Sequence, residues 1–156
     1  MAETIDQYEV AAGERLLDAL ALAITDGREA SRGSVYLFGY VIEMVLKAAF
    51  FRVHGAQPAH PVRLAAIGAA VGKKNLGAGD GHNLGLLRDA LIAERSRAQL
   101  DLPAVVRGEL DRRVDRARAT WSVDMRYDGS PLPRGVMAAM FEDASWMFAQ
   151  RFVLAQ

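Results

Sequence analysis

Two groups of polar residues stand where apolar ones would be expected, and burial there makes an uncompensated charge expensive. Glu43 and Lys47 interrupt Val35 to Phe51, the most apolar stretch of the chain. They lie four residues apart, carboxylate first, the order that favours an ion pair across one helical turn. As structure, the pair fixes the register of a helix. As chemistry, an acid and a cation line a cavity. The second group is Trp121-Ser-Val-Asp-Met-Arg126-Tyr127. A guanidinium beside an aromatic ring holds planar or phosphorylated ligands by paired hydrogen bonds and stacking. The same residues also read as a loop clamp, with Arg126 on Glu43 and Tyr127 over the core.

Other familiar chemistries find little support. A phosphate-binding loop needs two glycines four residues apart, followed by Lys and a hydroxyl. Gly68, Gly72, Lys73 and Lys74 miss both the spacing and the hydroxyl. Gly77, Gly79 and Gly81 do not make a dinucleotide-binding turn, which must also follow a strand. His54, His60 and His82 are the only histidines, and none is spaced to share a metal with another on one helix. No nucleophile elbow is present. Cysteine is absent, which removes disulfides, thiolate metal sites and thiol nucleophiles. The expected sites are therefore metal-free and cofactor-free. Arg112, Arg113, Arg116 and Arg118 offer cations for phosphate, but Glu109, Asp111 and Asp115 interleave with them, so a solvated helix face is expected.

These residues need helices to position them. The 156 residues suit one domain, and half of them are apolar with a quarter charged, a globular balance. Formal net charge is zero, yet the first 27 residues carry a net of minus five and the remainder plus five, mostly as arginine. No stretch alternates as a strand does. Helical periodicity predicts helices over 4–26, 28–54, 84–97, 103–121 and 132–155, with a short one over 62–71. The second is apolar nearly all round and should be central. Gly33 and Gly39 within it cost about 1 kcal/mol each relative to alanine, so another backbone is expected to approach there. On the last helix, Met137, Phe141, Ala144, Phe148 and Phe152 form the expected inward stripe. The fold class that follows is an all-α, antiparallel up-and-down helical bundle of four long helices plus one or two short ones, in one domain over 1–156. The opening residues lack the basic start and apolar run of a secretory signal, and charges interrupt the apolar stretch. A cytoplasmic protein without a membrane span is the expectation.

Three segments, in order, resemble the stand-alone prokaryotic members of the HEPN superfamily. Gly39-Tyr40-Val-Ile-Glu43-Met-Val-Leu46-Lys47 is similar to that family's second helix, Gly-Tyr-x-x-Glu-x-x-Leu-Lys. Gly81-His82-Asn83-Leu84 is similar to its Gly-His-Asp/Asn-Leu helix start, and Trp121 with Arg126-Tyr127 to its Trp…Arg-Tyr ending. The resemblance spans roughly Leu16 to Tyr127. It implies a helical bundle, usually a homodimer, working with nucleotides or RNA and often beside a minimal nucleotidyltransferase in a toxin–antitoxin or defence module. Some members cleave RNA without metal through an arginine followed four to six residues later by histidine. That spacing is missing before all three histidines, so the resemblance implies a non-catalytic binding module for a nucleotide or a partner protein. Lys47, His82, Arg126 and Tyr127 are then the ligand contacts, with Glu43 orienting Lys47 or Arg126. Two rival readings remain. One is a metal-independent ribonuclease using His82 with Arg126. The other is an architectural dimer built on Trp146, Met147 and Phe148.

Overall fold

The computed structural model describes residues 3–25, 28–77, 79–127 and 132–156; the side chains of residues 28–30, 126 and 127 lie outside what it describes. The α-helices are α1 (Ile5–Ala23), α2 (Arg28–Val53), α3 (Ala65–Ala70), α4 (Leu84–Arg97), α5 (Ala104–Arg118) and α6 (Val136–Leu154). Single tighter turns form at Asp80–His82 and Val123–Tyr127. No strand occurs among the described residues. Five of the helices run to 14 residues or more, and α3 has six. α1 opens on a reciprocal cap: the Gln7 amide donates to Thr4 Oγ1 (3.2 Å) and the Thr4 amide to Gln7 Oε1 (2.9 Å). Asn83 caps α4 by accepting from the Leu86 amide (3.1 Å).

α2 is the axis of the bundle, with α1, α4, α6 and the second tight turn packed around it. Val35, Phe38, Val41, Ile42, Val45, Leu46 and Phe50 are all buried, as an all-round apolar helix requires. Ser31–Val53 is long and apolar enough to cross a membrane, and 78% of its most apolar window is buried inside the bundle. α1 lies antiparallel to α2: Leu22 meets Gly33 at one end, and Glu9 clamps Arg52 at the other through two hydrogen bonds of 2.5 and 2.8 Å. The connection over 54–83 carries the chain back along the bundle, so α4 runs parallel to α2. His82 pairs with Glu43 near its start, and Glu94 pairs with His54 near its end. This long return puts the Gly81-His82-Asn83 turn against the middle of α2.

Arginines pin the outer helices. Arg88 joins α4 to Asp115 on α5 (2.8 Å), while Arg113 and Arg116 grip the buried Asp143 on α6 at 3.2 and 2.6 Å. Arg95 donates to the carbonyls of Leu154 (2.7 Å) and Gln156 (2.8 Å) at the end of α6, where a cation offsets the negative pole of the helix. The arginine-rich face of α5 is thus partly a lock between helices rather than a wholly solvated surface.

Three expectations need correction. The all-α bundle has five long helices rather than four, and α4 runs parallel to α2 because the 54–83 connection returns the chain, so the order is not a simple up-and-down one. The stripe on α6 is rotated: Met140, Asp143, Ala144, Met147 and Leu154 face the core, while Phe141 and Phe152 are exposed. Apolar residues surround most of this helix, so periodicity alone does not fix its phase; the Arg113–Asp143–Arg116 lock selects the buried face. At Gly33 and Gly39 the close neighbours are side chains, not backbone. A Cβ on Gly39 would stand 2.1 Å from the Trp121 indole, and one on Gly33 would stand 3.1 Å from Leu22.

Candidate functional site

Glu43 is fully buried near the middle of α2 and both its oxygens are engaged. Oε1 accepts from Lys47 Nζ at 2.6 Å, and Oε2 lies 2.9 Å from His82 Nδ1. The helical turn between 43 and 47 supplies the first partner locally; the 54–83 return supplies the second. Lys47 is itself buried, with its ammonium 5.5 Å from the centre of the Tyr8 ring. Burial, then a hydrogen bond to Glu3, pushes the Tyr8 phenol far above its ordinary range, so it stays neutral beside the cation.

Tyr40 and Trp121 wall the imidazole. Tyr40 meets His82 edge-on at 6.2 Å between ring centres, and Trp121 meets Tyr40 edge-on at 5.5 Å. The indole N–H donates to the Tyr36 carbonyl (2.9 Å), and the notch at Gly39 admits the ring. The hydrogen bond to Glu43 raises the His82 pKa above its ordinary 6.5, against an opposing effect of burial and the Lys47 charge. The Glu43 bond occupies Nδ1, so Nε2 is the nitrogen left for a ligand.

His82, whose side chain is 41% exposed, separates two open clefts. One, of 430 Å³, lies under the glycine-rich turn between Leu64, Lys74, Asn75 and Leu76. Asp80 ties that turn by accepting from the Gly77 amide (2.8 Å) and from Lys73 (3.1 Å), which hold its carboxyl below the usual range. The other cleft, of 360 Å³, is lined by His82, Asn83, Arg118, Trp121, Ser122 and Asp124. Arg118 reaches across from α5 onto the first turn of α4, where a Cβ on Gly85 would sit 2.9 Å from its Nη1. Its ion pair, to Asp115, is long at 3.8 Å. A guanidinium at the positive end of a helix and an imidazole whose pKa is raised by Glu43 both face this cleft, with the Asp124 carboxylate on the same lining.

Of the residues expected to meet a ligand, Glu43, Lys47 and His82 come together. Glu43 holds the Lys47 ammonium through Oε1 and the His82 ring through Oε2. Only His82 of the three reaches open space. Lys47 is enclosed, so its role as a ligand contact is replaced by that of counter-ion to Glu43. The side chains of Arg126 and Tyr127 lie outside the described residues. Sequence reasoning passed over Arg118, treating it as one of four solvated arginines. Its sign in the sequence is faint: a glycine, Gly85, in the first turn of a helix that begins at Leu84. Among the described residues no group of three or more His, Cys, Asp or Glu is placed to hold a metal ion. Neither a family model, nor a curated protein, nor a solved structure matches the chain.

Proposed function

We propose that this chain is a HEPN-like, non-catalytic module that binds a nucleotide, with the phosphates in the cleft between His82 and Arg118. One observation carries the reading: an imidazole fixed by a buried carboxylate shares an open cleft with a loosely partnered guanidinium. Protonated His82 and Arg118 supply charge-assisted hydrogen bonds to phosphate oxygens, and the Ser122 hydroxyl lines the same wall. The meeting of segments from all three HEPN-like motifs supports the family reading: Gly39 receives Trp121, and Glu43 receives Lys47 and His82. The missing arginine four to six residues before a histidine favours binding over cleavage. A minimal nucleotidyltransferase is the partner protein this reading carries with it.

Isothermal titration with nucleoside di- and triphosphates tests it. Arg118→Ala and His82→Ala should each weaken binding by about tenfold or more, since a hydrogen bond to a charged group contributes about 1.5–3 kcal/mol. Helical circular dichroism should be unchanged. Affinity should fall as pH rises through the raised His82 pKa, because the neutral ring no longer attracts the anion. Affinity in both variants unchanged from that of the unaltered protein would contradict the reading.

The His82–Glu43 bond also favours a second reading, a ribonuclease with a divergent site, because an oriented imidazole is the usual general acid or base. It predicts cleavage of single-stranded RNA in the presence of chelator that His82→Ala abolishes. Cleavage that survives in the variant would remove it.

A further inference from the structure

We propose that the cleft between the end of α4 and the start of α5 binds a free α-amino acid, its carboxylate on Arg95 and its ammonium on Asp101. Ile92, Arg95, Asp101, Leu102 and Arg107 line this cleft, whose volume is 220 Å³. Sites for larger organic ligands run to roughly 300–1,000 Å³, so the occupant is small.

Arg95 carries the inference. It is only 6% exposed, and a guanidinium so buried ordinarily has a carboxylate against it. Here its hydrogen bonds go to the carbonyls of Val153 (3.4 Å), Leu154 (2.7 Å) and Gln156 (2.8 Å), all from Nη1. Its Nε is buried with no hydrogen-bond partner among the described residues. Desolvation accordingly presses the guanidinium pKa below its ordinary value. The unused edge, Nε with Nη2, is one that grips a carboxylate through two parallel hydrogen bonds. A carboxylate there satisfies the orphaned donor and supplies the missing counter-charge.

The rest of the lining narrows the ligand. A plain anion suits the cleft poorly, because the Asp101 carboxylate shares its wall. Asp101 acts on Arg95 through space without bonding to it, and its Oδ1 accepts from Ser96 Oγ at 2.7 Å. Its Oδ2 then accepts from the ligand. Carboxylate and ammonium on one carbon answer both walls at once. Arg107 commits its Nε to Asp111 (2.8 Å), which leaves its terminal nitrogens for the same carboxylate. Ile92 and Leu102 offer an apolar surface, which selects an aliphatic side chain.

The inference does not rest on the nucleotide reading, since Arg95 lies roughly three turns of α4 from the His82 end. Isothermal titration of the full chain with leucine, isocaproate and isoamylamine tests it. Leucine should bind, and the two analogues, each lacking one charged group, should bind about tenfold or more weakly. Arg95→Gln and Asp101→Asn should each weaken leucine by about tenfold or more. Asp101 is exposed, so its variant tests the site even where Arg95→Gln loosens the end of α6. Asp101→Asn should also tighten isocaproate, because the repelling charge is gone. No binding of leucine, or leucine affinity unchanged in Asp101→Asn, overturns the proposal. Isocaproate bound as tightly as leucine by the unaltered protein overturns it in favour of a simple carboxylate.

Discussion

Glu43 holds Lys47 and His82 at once, and its value depends on both. Lys47→Met leaves a buried carboxylate with His82 alone, and breaking a buried pair from one side costs about 3–5 kcal/mol. Thermal or denaturant unfolding should show that loss, and Glu43→Leu with Lys47→Met should recover much of it. No loss in the single variant would mean that water reaches Glu43. The His82 pKa lies above 6.5 in the fold, so the charged pair stabilises the fold fully below about pH 6.5. That contribution disappears as pH rises through the folded value. In Glu43→Gln the raising partner is gone, and NMR titration of His82 should show its pKa fall; an unmoved value would separate the imidazole from Glu43. The i,i+4 spacing of Glu43 and Lys47 was legible because one helical turn determines it. His82 was legible as a candidate but not as the partner of Glu43, because 39 residues separate them. Arg118 was illegible, since its place in a cleft with His82, with only a long 3.8 Å pair to Asp115, is a tertiary fact hidden in an alternating run of charges.

Among the helices, α2 carries the greatest demands, because α1, α4 and α6 all need its surface. Its position was readable from an apolar run with no polar face. The phase of α6 was not readable, since a helix apolar on most sides offers several equivalent stripes. The choice depends on Asp143, which two arginines of α5 draw inward. The notch at Gly39 links α2 to the turn after α5, and a methyl group there collides with the indole that covers Tyr40. Gly39→Ala should destabilise the fold by about 1–3 kcal/mol, the usual cost of overpacking. It should also shift the tryptophan emission as Trp121 is displaced. Unchanged stability and emission would mean that the bundle yields freely at this point.

At the scale of the molecule, zero net charge conceals local differences: an acidic first helix with Val10, Leu17 and Ile24 exposed, and a cleft at the start of α4 where His82 and Arg118 face Asp124. Helical class followed from composition and periodicity. The site did not, because it exists only where the 54–83 return, the middle of α2 and the end of α5 meet. The most direct test of the nucleotide reading is thermal unfolding with nucleoside triphosphate, in the protein and in Arg118→Ala. Ligand at about a hundred times its dissociation constant should add roughly 2.7 kcal/mol. For a domain of this size that raises the midpoint by about 5–10 °C. The account predicts that rise in the protein and its near disappearance in Arg118→Ala. An equal rise in both would place the nucleotide elsewhere, and no rise in either would contradict nucleotide binding.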